Sequence, residues 1–133
     1  MTKIKELILV VRKHIQITAE PHYVPSRSSP IQSYFLFSYS ICIHNQSDEA
    51  IRLISRYWHI TDGSGLIEEV YGPGVVGKKP TIKPNTFFEY TSFCPLRTPV
   101  GSMEGSYGMV NEKGEEFDVQ IDPFRLIASQ ILN

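Results

Sequence analysis

Three glycines, Gly72, Gly74 and Gly77, carry the spacing in this chain that is most closely tied to a known chemistry. The pattern G-x-G-x-x-G cradles a pyrophosphate in dinucleotide-binding folds, because the glycines let the backbone approach the phosphate and a helix N-terminus attracts it. Here Pro80 and Pro84 follow almost at once, and two prolines so close together cannot open an ordinary amphipathic helix. The motif is therefore present without its usual helix.

Two interpretations of this glycine loop, Gly72 to Gly77, stay open from the sequence. In the first, the glycines expose consecutive N–H groups as an anion-binding nest, with Lys78 and Lys79 beside it. That interpretation predicts weak binding of pyrophosphate or of a dinucleotide polyphosphate, although Pro73 removes one backbone donor. In the second, the glycines permit a tight crossover between two sheets. We favour the second, because an isolated motif of this kind is weak support for a phosphate site.

The remaining polar residues do not form a known catalytic or metal-binding motif. No two of the four histidines are spaced i, i+2 or i, i+4. Glu68 and Glu69 are adjacent, but neighbouring residues of a strand point to opposite faces. Ser92 lacks a nucleophile elbow, and Arg56 and Asp62 are expected to form a structural ion pair. We therefore expect no catalytic residue, no metal site and no cofactor. Hydrolysis of a phosphoanhydride is kept as the third alternative for the function of the chain.

Composition and charge narrow the classes of partner. The chain has 133 residues, a hydrophobic content of 41% and a net charge of -1, which predicts one domain with a sizeable core. Since there is no basic excess, the composition does not favour nucleic-acid binding. A phosphate-containing small molecule stays open as a ligand, because Lys78, Lys79 and Lys83 form a local basic cluster.

The first residues and the cysteines indicate a compartment. The apolar run from Leu7 to Val11 is too short for a signal-peptide core, and far shorter than the ~20 residues of a membrane helix. Residues 1–13 are therefore predicted to form a short helix or an ordered arm, with no membrane partner and a cytoplasmic location. Cys42 and Cys94 are expected to be free thiols in a reducing compartment.

Short β-type runs separated by turn signals must position these residues. Tyr34 to His44 alternates apolar and polar side chains, as in a strand with one buried face. Asp62 to Gly65 is predicted to be a hairpin turn, because Asp-Gly readily adopts positive φ. Glu116 to Ile121 is expected to be the last strand, ended by Pro123, and Trp58 is expected in the core.

About seven to eight strands follow from this pattern. They predict an all-β fold, namely an immunoglobulin- or fibronectin III-like sandwich of two antiparallel sheets, with a small barrel as the alternative. Gly105 and Gly108 interrupt the run from Ser102 to Val110, which indicates a bulge or a close backbone approach there.

Five segments occur together with the glycine loop and carry a family resemblance. They are Arg56-Tyr-Trp-His-Ile-Thr-Asp62, Tyr90-Thr-Ser92, Leu96-Arg-Thr-Pro-Val-Gly101, Met103-Glu-Gly-Ser-Tyr-Gly-Met109 and Phe117-Asp-Val-Gln-Ile121. The combination resembles the ApaG family over nearly the whole chain. Asn85 stands where that family usually has glycine, and both residues tolerate left-handed φ.

The resemblance implies a fold and a broad function. It implies a fibronectin III-like sandwich, with residues 1–133 as a single ApaG domain. The family has no established enzymatic reaction; bacterial members are associated with cobalt resistance and magnesium efflux. In eukaryotes the domain is appended to certain F-box proteins, where it is thought to mediate protein contacts. We therefore expect a non-enzymatic binding domain with an unidentified protein partner and an indirect role in metal homeostasis.

Four residues are candidates for contacting that partner. Tyr57, His59, Tyr71 and Tyr90 are predicted to supply exposed aromatic anchors of the kind that interfaces favour. Edge strands and end loops of a sandwich offer surfaces for such contacts. The alternative is that most of these side chains pack in the core. A monomer and a homodimer are both compatible with the sequence.

Overall fold

The computed structural model describes the backbone of residues 2–129 and the side chains of residues 8–129. Within these residues the chain forms one α-helix and eight strands, which confirms the predicted all-β class. In chain order the elements are α1 (Thr2–Lys13), β1 (Ile15–Tyr23), β2 (Phe35–Asn45), β3 (Ile51–Asp62), β4 (Ile67–Pro73), β5 (Thr81–Ile82), β6 (Thr86–Leu96), β7 (Val100–Val110) and β8 (Glu116–Ile127). No helix among the described residues is long and apolar enough to cross a membrane.

The strands form two antiparallel sheets that enclose the core. The small sheet has three strands in the order β1-β2-β6. The large sheet has five strands in the order β4-β3-β7-β8, with β5 paired to the start of β3. This arrangement confirms the predicted sandwich. It also makes β4 an edge of the large sheet and β6 an edge of the small one.

The core follows from strand alternation. Every second residue of β2, from Phe35 to Ile43, is buried, as the sequence predicts. Trp58 is 2% exposed and confirms its predicted place in the core. Helix α1 contributes Val11, which is buried against the same cluster.

The predicted end of the last strand is wrong. Strand β8 continues through Pro123 to Ile127. Its pairing with β7 shifts register between Met103 and Gly105, so that Asp122 and Pro123 together oppose one β7 residue in a bulge. A proline is tolerated there because β8 is an edge strand and the bulge needs no ladder hydrogen bond from it. The bulge expected near Gly105 is confirmed.

The hairpin between β3 and β4 is confirmed, but its predicted conformation is not. Gly65, with φ 89, supplies the left-handed residue in place of Gly63. The Asp62 carboxylate organises the turn by accepting N–H bonds from Ser64 at 2.9 Å and from Leu66 at 3.0 Å. The Ser64 hydroxyl also donates to this carboxylate, and these bonds hold the pKa of Asp62 below its usual value.

Candidate functional site

The tip of the glycine loop is a two-residue hairpin turn. Val75 and Lys78 close it, since the N–H of each donates to the carbonyl of the other at 2.8 Å. Val76 and Gly77 form the tip with φ values of 43 and 77, which is the left-handed pair of a type I′ turn. A β-branched residue such as Val76 is strained there, so the closing pair must hold the turn in place.

The other two glycines permit close approaches within the fold. Gly74 is buried, its N–H donates to the Ile54 carbonyl at 2.9 Å, and a Cβ on it would lie 2.1 Å from the Lys78 carbonyl oxygen. Gly72 lies inside β4, where a Cβ would lie 2.7 Å from Cζ of Arg56. Each glycine of the motif therefore has a structural reason for being glycine.

The interpretation of the loop as a crossover between sheets is wrong. Strands β4 and β5 flank the loop, and both pair with β3 in the large sheet. The chain passes to the small sheet only after β5, through Asn85, whose φ of 61 is the left-handed conformation expected there.

The loop keeps cationic groups on its surface. The backbone N–H groups of Gly74, Val75 and Lys78 all donate to carbonyls of this chain. Lys78 and Lys79 are exposed, and the Lys79 carbonyl accepts a bond of 3.2 Å from Nε of Arg52. The anion site at Gly72, Gly74 and Gly77 stays a prediction, and the two lysine side chains are its most accessible groups.

Two of the predicted partner residues form a pair on the outer face of the large sheet. Tyr57 and Tyr71 lie opposite each other on β3 and β4, with ring centroids 4.8 Å apart. Oε2 of Glu69 accepts a hydrogen bond from each hydroxyl, at 3.1 Å from Tyr57 and 3.0 Å from Tyr71. Tyr71 is 72% exposed. The hydrogen bond to Glu69 raises the pKa of Tyr71. The pKa of Tyr57 is raised mainly by desolvation and then by its hydrogen bond to Glu69.

His59 extends this outer face, whereas Tyr90 does not belong to it. His59 lies opposite Glu69, and its Nδ1 is 3.7 Å from Oε1 of Glu104. Tyr90 lies on β6 of the small sheet, where its hydroxyl bonds that of the fully buried Tyr107. The structure therefore brings three of the four predicted aromatic residues together and packs the fourth inside.

Arg56 is a functional candidate that the sequence assigned to a different partner. The pairing of β3 with β7 shifts register between Leu53 and Ser55, which turns Arg56 inward on the same side as Trp58. Its Nη1 donates to the carbonyls of Pro73 and Gly74, at 3.1 Å each. The predicted ion pair with Asp62 is wrong: among the described residues no carboxylate lies within 4.0 Å of the guanidinium.

The space between the sheets near Arg56 is a cleft with a polar wall. This intersheet cleft has a volume of about 210 Å³. Its lining includes Tyr39, Arg56, Trp58, Glu68, Ser92 and Cys94. Burial raises the pKa of Tyr39, Tyr90 and Tyr107, and the positive charge of Arg56 offsets a small part of that rise. Burial also raises the pKa of the Cys94 thiol to about 12.

The cleft opens into a wider groove between the two edge strands. That groove, of about 620 Å³, shares Ile60, Glu68 and Pro95 with the cleft and adds Leu66 and Ile67 among its apolar walls. The sequence does carry a signal for this site, because Arg56 lies two residues before the core residue Trp58 and so on the same face of β3. That signal could be recognised only once the strand register was known. Among the described residues no three His, Cys, Asp or Glu side chains form a group that could hold a metal ion.

Comparison with known proteins assigns the chain to a family. The family model described as ApaG domain matches residues 25–111. The chain is 50% identical over 116 residues to Protein ApaG of Mesorhizobium japonicum, covering 87% of this chain and 89% of the relative. Identity to Protein ApaG of Methylocella silvestris is 51% over the same length, with the same coverage.

A solved structure gives the same result. The chain is similar to a Bordetella pertussis protein described as ApaA, whose crystal structure matches with a TM-score of 0.83 and 44% identity. The match covers 85% of this chain and 92% of that one. On the family match, the relatives and the shared sandwich, this chain belongs to the ApaG domain family.

Proposed function

We propose that this chain is a non-catalytic binding domain whose outer β3–β4 face takes a basic segment of a protein partner. The observation that carries the proposal is the surface pair of half-buried Tyr57 and exposed Tyr71, held by one carboxylate oxygen of Glu69. Exposed tyrosines are frequent anchors of protein interfaces. Because Glu69 already orders both rings, these two side chains would lose little conformational entropy when a partner binds.

The charge of this face indicates the chemistry of the partner. Glu69 and Glu104 flank His59, and a shallow groove of about 420 Å³ beside Tyr57 and Tyr71 is lined by Asp118 and by one cation, Arg56. An acidic surface favours a cationic partner, and the tyrosine rings accept Lys or Arg by cation–π contact. The proposed occupant is therefore an extended segment that carries Lys or Arg side chains.

An affinity comparison tests this proposal. A cell lysate is passed over three immobilised proteins: wild type, Tyr71→Ala and Phe87→Ala. The Phe87→Ala variant removes an exposed aromatic ring from the small sheet and is the control. We expect a specific protein, released by raised salt, to bind wild type and Phe87→Ala but not Tyr71→Ala. If wild type and Tyr71→Ala retain the same proteins equally, the outer face is not the binding site.

The family resemblance suggests the biological setting of this binding. We propose a cytoplasmic role in cobalt resistance and magnesium efflux that acts through the partner rather than by direct metal binding. Cys42 and Cys94 are unpaired, which suits a reducing compartment. A strain lacking the gene, complemented with wild type or Tyr71→Ala, tests the link. Equal cobalt tolerance in the two strains would contradict it.

A second candidate function is binding of pyrophosphate or of a dinucleotide polyphosphate at the glycine loop. The observation that favours it is the exposure of Lys78 and Lys79 on a rigid turn next to Gly77. Calorimetry with pyrophosphate should give heat that is lost in the double variant Lys78→Gln/Lys79→Gln. Lys113→Gln, in another exposed turn, is the matched control. No heat with wild type would eliminate this candidate.

The phosphoanhydride hydrolase alternative is not carried further. No described group of three or more His, Cys, Asp or Glu side chains offers a metal site beside the loop. Incubation of the protein with nucleotides and magnesium would reopen this alternative if turnover depended on Lys78 and Lys79.

A further inference from the structure

We propose that the intersheet cleft binds a small organic acid, with its carboxylate on Arg56 and its apolar body in the groove between β4 and β6. This site lies beneath the outer face of the same strands and is independent of the function proposed above. Its ligand is a free small molecule rather than a protein segment.

The first argument is the state of the Arg56 charge. The side chain is half-buried between two sheets, and both of its hydrogen bonds come from Nη1 to backbone carbonyls. No carboxylate of the described residues pairs with it. A cation that is partly removed from water without an anionic partner is less favourable than a paired one, so a ligand that supplies a carboxylate would stabilise it.

The second argument is an unsatisfied donor in the same wall. Nε1 of Trp58 is the one buried side-chain nitrogen or oxygen among the described residues that has no hydrogen-bond partner. The indole is held edge-on by the rings of Tyr39, Tyr107 and Phe124. A ring face is a weak acceptor, so an oxygen would be a stronger partner for this N–H. The nitrogen has almost no accessible surface, so a ligand oxygen would reach it only after the neighbouring side chains shift.

The third argument is the balance of donors and acceptors in the lining. Arg56, Tyr39 and Ser92 bring donor groups to the lining of the cleft, whereas Glu68 is the one carboxylate of that lining and is exposed. Burial raises the pKa of Tyr39, which keeps its hydroxyl a neutral donor. A set of convergent donors matches an acceptor-rich head group such as a carboxylate.

The fourth argument is the groove that continues from the cleft, in which apolar side chains line the walls together with Asp62, Glu68 and Arg97. Ile60 and Pro95 line both spaces, and Leu66 and Ile67 beyond them are 65% and 59% exposed. Apolar side chains beside a few placed polar groups are the usual lining of a small-molecule site. Since inorganic phosphate has no apolar body to place there, the groove favours an organic acid over a free phosphate.

The single tryptophan makes the site directly observable. Trp58 is the one Trp of the chain, so a ¹⁵N-labelled sample gives one indole N–H resonance. Phenylacetate and octanoate serve as probes, phenylacetamide as the neutral control and inorganic phosphate as the control for charge alone. We expect saturable movement of the indole resonance with the two carboxylates and not with the two controls. Binding of neither carboxylate, or equal shifts with phenylacetamide, would overturn the proposal.

Variants locate the head group. Arg56→Met should weaken carboxylate binding at least about tenfold, because a charge-assisted contact is lost. Arg52→Met is the matched control, since Arg52 lies on the same strand but is exposed and bonds the Lys79 carbonyl. Unchanged affinity in Arg56→Met, or an equal loss in Arg52→Met, would contradict the assignment.

A surface variant keeps the test decisive if Arg56→Met does not fold. Glu68→Gln removes the negative charge at the mouth of the cleft and changes an exposed residue. Loss of that repulsion should tighten carboxylate binding severalfold while leaving phenylacetamide unaffected. Unchanged or weaker carboxylate binding in Glu68→Gln would place the head group elsewhere.

Discussion

The two faces of the β3–β4 strand pair differ in how their polar groups are satisfied. On the outer face, the hydroxyls of Tyr57 and Tyr71 both donate to Glu69, so each hydroxyl has an acceptor within this chain. On the inner face, Arg56 has no carboxylate partner and Nε1 of Trp58 has no acceptor among the described residues. The carboxylate of the outer pair already has its donors, whereas the inner face, within the described part of the chain, holds a guanidinium without a paired carboxylate and an indole N–H without an acceptor.

This difference arises from strand parity and one register shift. Adjacent residues such as Arg56 and Tyr57 point to opposite faces, so one short segment can build two sites. The irregularity between Leu53 and Ser55 decides which residue faces inward. A surface whose tyrosine hydroxyls already have acceptors suits recognition by a large partner. An interior whose donors have no acceptor suits a ligand that supplies one.

The largest expected contrast is in stability. Trp58→Ala should lower the free energy of unfolding by about 3–5 kcal/mol, because a fully packed aromatic side chain is removed from the core. Tyr57→Ala, one residue earlier, should cost about 1 kcal/mol, since it removes one aromatic contact of a half-buried ring on the outer face. Urea denaturation measures both. Similar losses for the two variants would remove the distinction between the faces.

Much of the fold could be predicted because its signal is local. Alternation along β2 and the turn signal at Asp62 depend on neighbouring residues, and both gave correct elements. The end of β8 was missed because a proline is tolerated at an edge bulge, and a bulge depends on which strand pairs alongside.

The candidate site was harder to predict for the same reason. Tyr57 and Tyr71 were chosen for their residue type, but their contact depends on the β3–β4 register. Arg56 was paired with Asp62 on sequence proximity alone, whereas the structure turns it towards the carbonyls of Pro73 and Gly74. Apart from the Tyr71–Glu69 bond, the hydrogen bonds that decide these roles join residues 12 to 18 positions apart.

The next expected effect concerns Gly72, which makes room for Arg56. A Cβ at Gly72 would lie 2.7–2.8 Å from three guanidinium atoms, so Gly72→Ala should displace the group from its two carbonyls. We expect a loss of about 1–2 kcal/mol, while the Tyr57–Tyr71 pair stays in contact. In an Arg56→Met background most of that loss should disappear, because the clashing atoms are absent. Additive losses in the double variant would show that Gly72 acts through something else.

A smaller contrast extends the comparison to the small sheet. Cys94 faces inward and burial raises its pKa to about 12, whereas Cys42 faces outward and is partly exposed. Desolvation and Glu89 also raise the pKa of Cys42. Since the thiolate is the reactive form, iodoacetamide should modify Cys42 at least about tenfold faster than Cys94 at neutral pH. Mass spectrometry of the two peptides measures the ratio, and equal rates would mean that the interior opens readily.

The smallest effect separates the tyrosines of the two faces by titration. The Glu69 carboxylate raises the pKa of Tyr71, so Glu69→Gln should move the pKa of Tyr71 down towards 10.0 in the folded protein. Burial raises the pKa of Tyr107 much further, because the fold favours its neutral form. That stabilisation is fully present below pH 10.0, the ordinary pKa of tyrosine, and is lost as the pH rises above it. Tyr107 should therefore ionise only as the protein unfolds, whereas Tyr71 ionises while it is folded. Absorbance of tyrosinate and circular dichroism, followed together through alkaline pH, distinguish the two. If Glu69→Gln leaves the first, folded-state phase unmoved, the carboxylate does not hold the outer pair.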